Sequence, residues 1–247
     1  MAQNAGNAKN ILVGASPLFI SNIDVTAGTS YIENAEPGTT AAGAYVSGES
    51  YTKTLNAITP GSTFAYRNVG FTNNGLQITY NPTYDSVTVD QLLDTAKLFK
   101  SAMEVMIATE MSEGTLENVL VVFGQSDDPT SNTISNTNTI IEDTGFAAGT
   151  ANTKKTLGLA AGALGIAPTE RQLIAVGNAP STTDGSNNKS TERVYYARRV
   201  LSVQQSAFTL ARSTPTTFPV TFRLLPTAMS GYEGQEYGKI IDRVLAV

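Results

Sequence analysis

The sequence predicts a mainly β fold: a β-sandwich or half-barrel subunit carrying one packed α-helix. Two observations carry that reading, and composition supports them. Several runs alternate apolar and polar residues with period 2, the mark of strands with one buried and one wet face. Only one segment switches to helical spacing, with Leu116, Val119, Leu120 and Phe123 at i, i+3, i+4 and i+7. Thr, Asn, Ser and Gly are abundant while only 15% of residues are charged, a balance that suits strands and tight turns.

Along the chain, residues 1–22 form a polar leader with two apolar patches, Ile11-Leu12-Val13 and Leu18-Phe19-Ile20, around Pro17. Such patches need burial, and the leader is expected to act as an arm packing on a neighbouring subunit. Residues 23–247 are expected to form a single β domain with a polar insertion at about 125–190. Residues 23–60 are rich in Gly, Thr, Ser and Ala, with turn signals at Glu36-Pro37-Gly38 and Thr59-Pro60-Gly61. Asn73-Asn74-Gly75 reads as a turn. One strand alternates Leu76, Ile78 and Tyr80 with Gln77 and Thr79. A second alternates Val87 and Val89 with Ser86, Thr88 and Asp90, leaving Asp85 at a turn between them. Met103–Glu110 reads as a third strand.

The helix over Thr115–Phe123 has Ser112 or Thr115 as N-cap, Glu113 and Glu117 at its positive end, and Gly124 as its stop at C′. Its stripe, Leu116, Val119, Leu120 and Phe123, is expected to face the core. Strand character returns at Gln172–Val176 and from Arg193 to Arg212. It returns again at Phe218, Val220, Phe222 and Leu224, ended by Pro226, and in a last short strand within EYGKIIDRVLAV.

Composition also excludes chemistry. The chain has neither histidine nor cysteine. Ser-His-Asp and Cys-His catalysis, imidazole or thiolate metal ligation, and disulfides are therefore out of reach. A net charge of −5 argues against a protein that coats duplex nucleic acid. The acidic pairs Asp127-Asp128 and Glu142-Asp143 sit in polar loop sequence rather than in the contrasting environments that acid/base catalysis needs. No cofactor loop or metal spacing is present, and no catalytic, cofactor or metal residue is assigned. MAQNAGNAKN is polar and ILVG too short for a signal-peptide core. The longest apolar run, Leu157 to Ala167, falls short of the ~20 residues of a membrane span, so no membrane insertion is expected.

Five stretches together resemble the major tail tube protein of long-tailed bacteriophages. They are MAQNAGNAKNILVG, YRNVGFTNNGLQITYNPTYDSVTVDQ, LLDTAKLFKSAMEVMIATEMSEGTLENVLVVFG, FPVTFRLLP and EYGKIIDRV. The matching positions are the Val69, Gly70, Phe71, Thr72 and Gly75 turn, then Val87, Val89 and Asp90. Thr115, Leu116, Glu117 and Asn118 follow as a Thr-Leu-x-Asn helix start. Residues 23–60 and 125–190 carry no part of the likeness.

The resemblance implies a non-enzymatic structural subunit whose sheets join across copies into a ring-shaped barrel. The rings, expected to be hexameric, stack into a tube through which double-stranded DNA passes without tight binding. Tape measure, tail terminator and distal tail or baseplate proteins are the implied partners. The implied location is the virion tail, assembled in the cytoplasm of a bacterial host. The resemblance also implies that hairpin strands line the channel, here through Gln77, Thr79, Asp85, Asp90, Glu104 and Glu110. Ile11, Leu12, Val13, Leu18, Phe19 and Ile20 would then make contacts between rings. The competing class is a monomeric β-sandwich binding module, carbohydrate-binding or adhesin-like. Its signature would be exposed Trp or clustered Tyr, and Trp is absent.

Overall fold

A computed structural model describes residues 14, 16–21, 66–90, 94–125, 140–143, 154–159, 169–180, 191–203, 207–210, 212–228 and 231–244. The strands are β1 (Leu18–Ser21), β2 (Tyr66–Asn68), β3 (Thr72–Thr88), β4 (Thr95–Met111), β5 (Ile140–Asp143), β6 (Lys154–Leu157), β7 (Arg171–Asn178), β8 (Thr191–Ser202), β9 (Phe218–Leu224) and β10 (Gly238–Val244). The helix α1 covers Leu116–Val122. Eight strands form one open antiparallel sheet in the order β2-β1-β7-β8-β9-β4-β3, with β10 paired to β8, while β5 and β6 make a separate hairpin. Among the described residues the chain is thus mainly β with one helix, in line with its periodicities.

The centre of the sheet is buried on both faces. Leu18 and Ile20 of β1 and Leu173 and Ala175 of β7 enter the main core, joined by Ile107, Val220, Phe222 and the helix residues Leu120 to Val122. The alternate residues Phe19, Ile174, Val176, Val194 and Tyr196 form a smaller cluster on the opposite face. Double burial of this kind makes β1 and β7 read as continuous apolar runs rather than as alternations.

β8 changes neighbours halfway along. Its first part pairs with β10, from Thr191 to Ala197, and its end pairs with β9, from Val200 to Ser202. Against β7 the register slips by one residue between Ala197 and Val200, which places the extra residue at Arg198-Arg199. Such a bulge bends a strand and sharpens its twist. The bulge lets both Ala197 and Val200 face the main core. Arg198 is fully buried there, its guanidinium 3.7 Å from the centroid of the Tyr232 ring and 5.3 Å from that of Tyr196. Arg199 forms a two-point ion pair with the buried carboxylate of Glu170, at 2.6 and 2.9 Å.

Several expectations are corrected. Leu18, Phe19 and Ile20 are not arm contacts: they lie in β1, at most 1% exposed, between β2 and β7 of their own sheet. Side chains already enclosed by their own subunit have no surface left for a neighbour. Ile11, Leu12 and Val13 lie outside the described residues. The stretch 125–190 is not one polar insertion, because it contains β7, a central strand. Strand character after Arg193 ends at Ser202 rather than Arg212.

The helix begins and ends as expected. The Thr115 hydroxyl accepts from the Asn118 amide, and Gly124 follows the helix at φ 65°. Its buried set differs: Asn118, Leu120, Val121 and Val122 are enclosed, while Leu116 and Val119 are half-buried. Phe123 is 40% exposed and rests against the Phe208 ring at 6.4 Å. The inward face is rotated because a polar residue, Asn118, takes an inside position. Its amide donates to the Val69 carbonyl (2.9 Å) and the Glu113 carbonyl (2.8 Å), and its oxygen accepts from Arg67 at 2.6 Å. Asn118 thereby ties the end of β2 to the start of the helix. Hydrophobic periodicity cannot see such a site, although the Thr-Leu-x-Asn pattern contained it.

Candidate assembly surface

β3 and β4 are each 17 residues long and pair from Thr72–Met111 out to Thr88–Thr95. The alternation predicts two short strands with Asp85 at a turn between them. The structure instead runs one strand through both. Asn73-Asn74-Gly75 makes no reversal either. It forms a bulge in β3, with Asn74 at φ 60° and Gly75 at φ 70° and a register slip between Asn73 and Leu76. Positive-φ residues serve a bulge as well as a turn, and the sequence alone does not separate the two.

β9 covers β4 only from Met106 to Met111. The pair therefore has two halves. In the root half, Val105, Ile107, Thr109 and Met111 are buried, while Glu104, Met106, Ala108 and Glu110 alternate onto the other face. In the distal half, from Tyr84–Lys100 outward, every described residue of both strands is exposed. Many of these residues are apolar: Tyr84 is 59% exposed, Val87 43%, Leu98 65% and Phe99 44%. The two strands here form a bare ribbon projecting past the sheet.

The register assembles part of the expected channel set. Gln77 pairs with Ala108, Thr79 with Met106, and Glu110 lies opposite Asn73. Cross-strand partners point to the same side, so Gln77, Thr79, Glu104 and Glu110 share one polar face with Thr221 and Arg223 of β9. Glu104 lies 3.9 Å from Arg223, and Glu110 accepts from the Asn73 amide at 3.2 Å. The face is thus polar with one carboxylate partly offset, rather than strongly acidic. Asp85 continues the Gln77–Thr79 alternation, because the slip between Thr83 and Tyr84 adds its extra residue to β4; it lies on the same side farther out, beside Phe99, while Asp90 lies at the ribbon's tip.

The opposite face of the root half opens into an apolar groove of about 480 Å³ between the β3–β4 pair and β8–β10. Ile78, Tyr80, Ile107, Tyr195, Leu224 and Ile240 line it. Tyr80 is 65% and Ile240 63% exposed, so the groove is open to solvent. It follows from the β8 bulge, where β9 and β10 part. Lys100 sits at the rim with its ammonium 6.0 Å from the centroid of the Tyr80 ring. A hydrogen bond from the backbone amide of Gly234 holds the Glu236 carboxyl below the usual range, with nearby Lys100 adding a smaller pull.

Among the described residues, no group of three or more metal-ligating side chains gathers. No protein-family model matches the sequence, and no curated protein is similar to it at a significant level.

Proposed function

We propose that this chain is a structural, non-catalytic subunit that self-assembles into stacked rings, as the tail tube protein of a bacteriophage does. The observation that carries the reading is the distal β3–β4 ribbon, exposed on both faces and studded with large apolar side chains. An isolated two-stranded ribbon is marginal in water, and bare strand edges template further pairing. A subunit gains by covering such a ribbon with copies of itself. Closing an open sheet across copies around a ring removes the edges altogether. The tail-tube resemblance in the same residues, 66–124, supplies the kind of assembly: hexameric rings forming a channel, in the virion tail, with β-sandwich subunits joined into a barrel. The polar face bearing Gln77, Thr79, Glu104 and Glu110 is the candidate channel wall. An acidic chain suits passage of DNA without adhesion.

A second reading, a monomeric binding module, draws on the two exposed β3 tyrosines, Tyr80 and Tyr84. One experiment separates them. Purified protein is sized by chromatography and imaged in negative stain over a concentration series. A companion variant has residues 84–100 of the ribbon replaced by an Asn-Gly turn. Rings or tubes from the natural chain, lost in the trimmed one while circular dichroism stays β-rich, support assembly. A monodisperse monomer at every concentration favours the binding module and ends the tube reading.

A further inference from the structure

We infer that the apolar groove beneath Tyr80 is the seat for the ribbon of a second copy, with Phe99 as the inserted side chain; this rests on the self-assembly reading above. Two unmatched apolar surfaces occur on one molecule: the groove, and the ribbon side chains Val87 and Phe99. A chain cannot join its own two. Phe99 pairs with Asp85, five residues beyond Tyr80, which places it about 17 Å further out along a hydrogen-bonded strand. The ribbon leaves the groove and cannot turn back into it, so a ribbon seated there comes from another copy. A patch that fits a pocket elsewhere on the same molecule makes a head-to-tail contact, which generates rings or filaments according to the rotation between copies.

The charges agree. Cross-strand pairing sets Asp85 beside Phe99 and Lys97 beside Val87 on one ribbon face. Lys239 lines the groove, and Lys100 and Glu236 stand at its rim. Insertion of Phe99 therefore brings the Asp85 carboxylate to a site with two ammonium groups, and the Lys97 ammonium to one with a carboxylate. The opposite ribbon face, with Tyr84 and Leu98, carries Lys100 and no carboxylate partner in register, which selects the Phe99 face.

The absence of cysteine permits a direct test. Chains carrying Phe99→Cys and chains carrying Ile240→Cys are mixed under assembly conditions and treated with a short thiol-to-thiol cross-linker. Both positions are exposed in the subunit, so folding is expected to be retained and is checked by circular dichroism. The expected result is a covalent dimer from the mixture well above that from either variant alone. Leu210→Cys, 82% exposed and outside the groove lining, should not replace Ile240→Cys. In parallel, Phe99→Asp should raise the concentration needed for assembly by roughly tenfold or more, the scale of losing an apolar anchor. Normal assembly by Phe99→Asp, with no 99–240 cross-link, overturns this contact while leaving self-assembly standing. A natural chain that stays monomeric overturns both.

Discussion

The two halves of the β3–β4 pair share a strand geometry and differ in what lies beside them. In the root half β9 adds a third strand, and Ile107 is 3% exposed. In the distal half no described strand flanks β4, and Leu98 is 65% exposed on the same strand. An apolar residue in a strand is therefore core or surface according to its neighbours, not its own pattern. The distal half keeps apolar side chains that a solitary subunit does not use.

The sharpest way to break this contrast is to truncate one residue in each half. Ile107→Ala should destabilise the subunit by about 2–5 kcal/mol, whereas Leu98→Ala should stay within about 0.5 kcal/mol. Urea denaturation at low protein concentration reads both, and equal losses would mean the ribbon is packed even in the monomer. Next in size is the tie between β2 and the helix. Asn118→Ala leaves the Val69 and Glu113 carbonyls without their side-chain donor, at a cost of about 2–3 kcal/mol. Glu117→Ala, on the half-buried outer side of the same helix, should cost far less.

The same inside–outside contrast recurs among ion pairs. Arg199→Met removes both guanidinium hydrogen bonds from the Glu170 carboxylate, 6% exposed, and should cost about 2 kcal/mol after allowing for the partly exposed guanidinium. The Arg193–Asp242 pair on β8 and β10 is more exposed and should contribute only about 0.5 kcal/mol. The hydrogen bond from Arg193 holds the Asp242 carboxyl below its usual range. Its contribution is therefore present above the ordinary carboxylate pKa of about 3.9 and lost as pH falls through the lower folded value. The stability gap between the natural chain and Asp242→Asn should close in acid, and a gap that widened there would contradict the pairing.

The smallest effect concerns the polar face and leaves subunit stability nearly untouched. Glu104→Lys with Glu110→Lys should give assemblies that retain DNA at low salt and release it as salt rises. Assemblies indifferent to DNA after the reversal would place that face away from the channel.

Local order was legible in the sequence. The alternation of Phe218, Val220, Phe222 and Leu224 became β9, with those four side chains buried. Thr115 caps the helix and Gly124 follows it in the left-handed region, because capping chemistry acts over a few residues. The grouping of Gln77 with Thr79 on one face follows from period 2 alone. Tertiary structure decided everything that depends on long-range neighbours. Leu18-Phe19-Ile20 reads as a sticky arm until β2 and β7 pair on either side of it. Asn73-Asn74-Gly75 reads as a turn until β4 runs past it and makes it a bulge. Asp85 joins a continuous strand, and Asn118 replaces Phe123 inside, because register and burial belong to the pair of segments in contact. A single segment's sequence fixes which side chains share a face; only the packed chain fixes which face is covered.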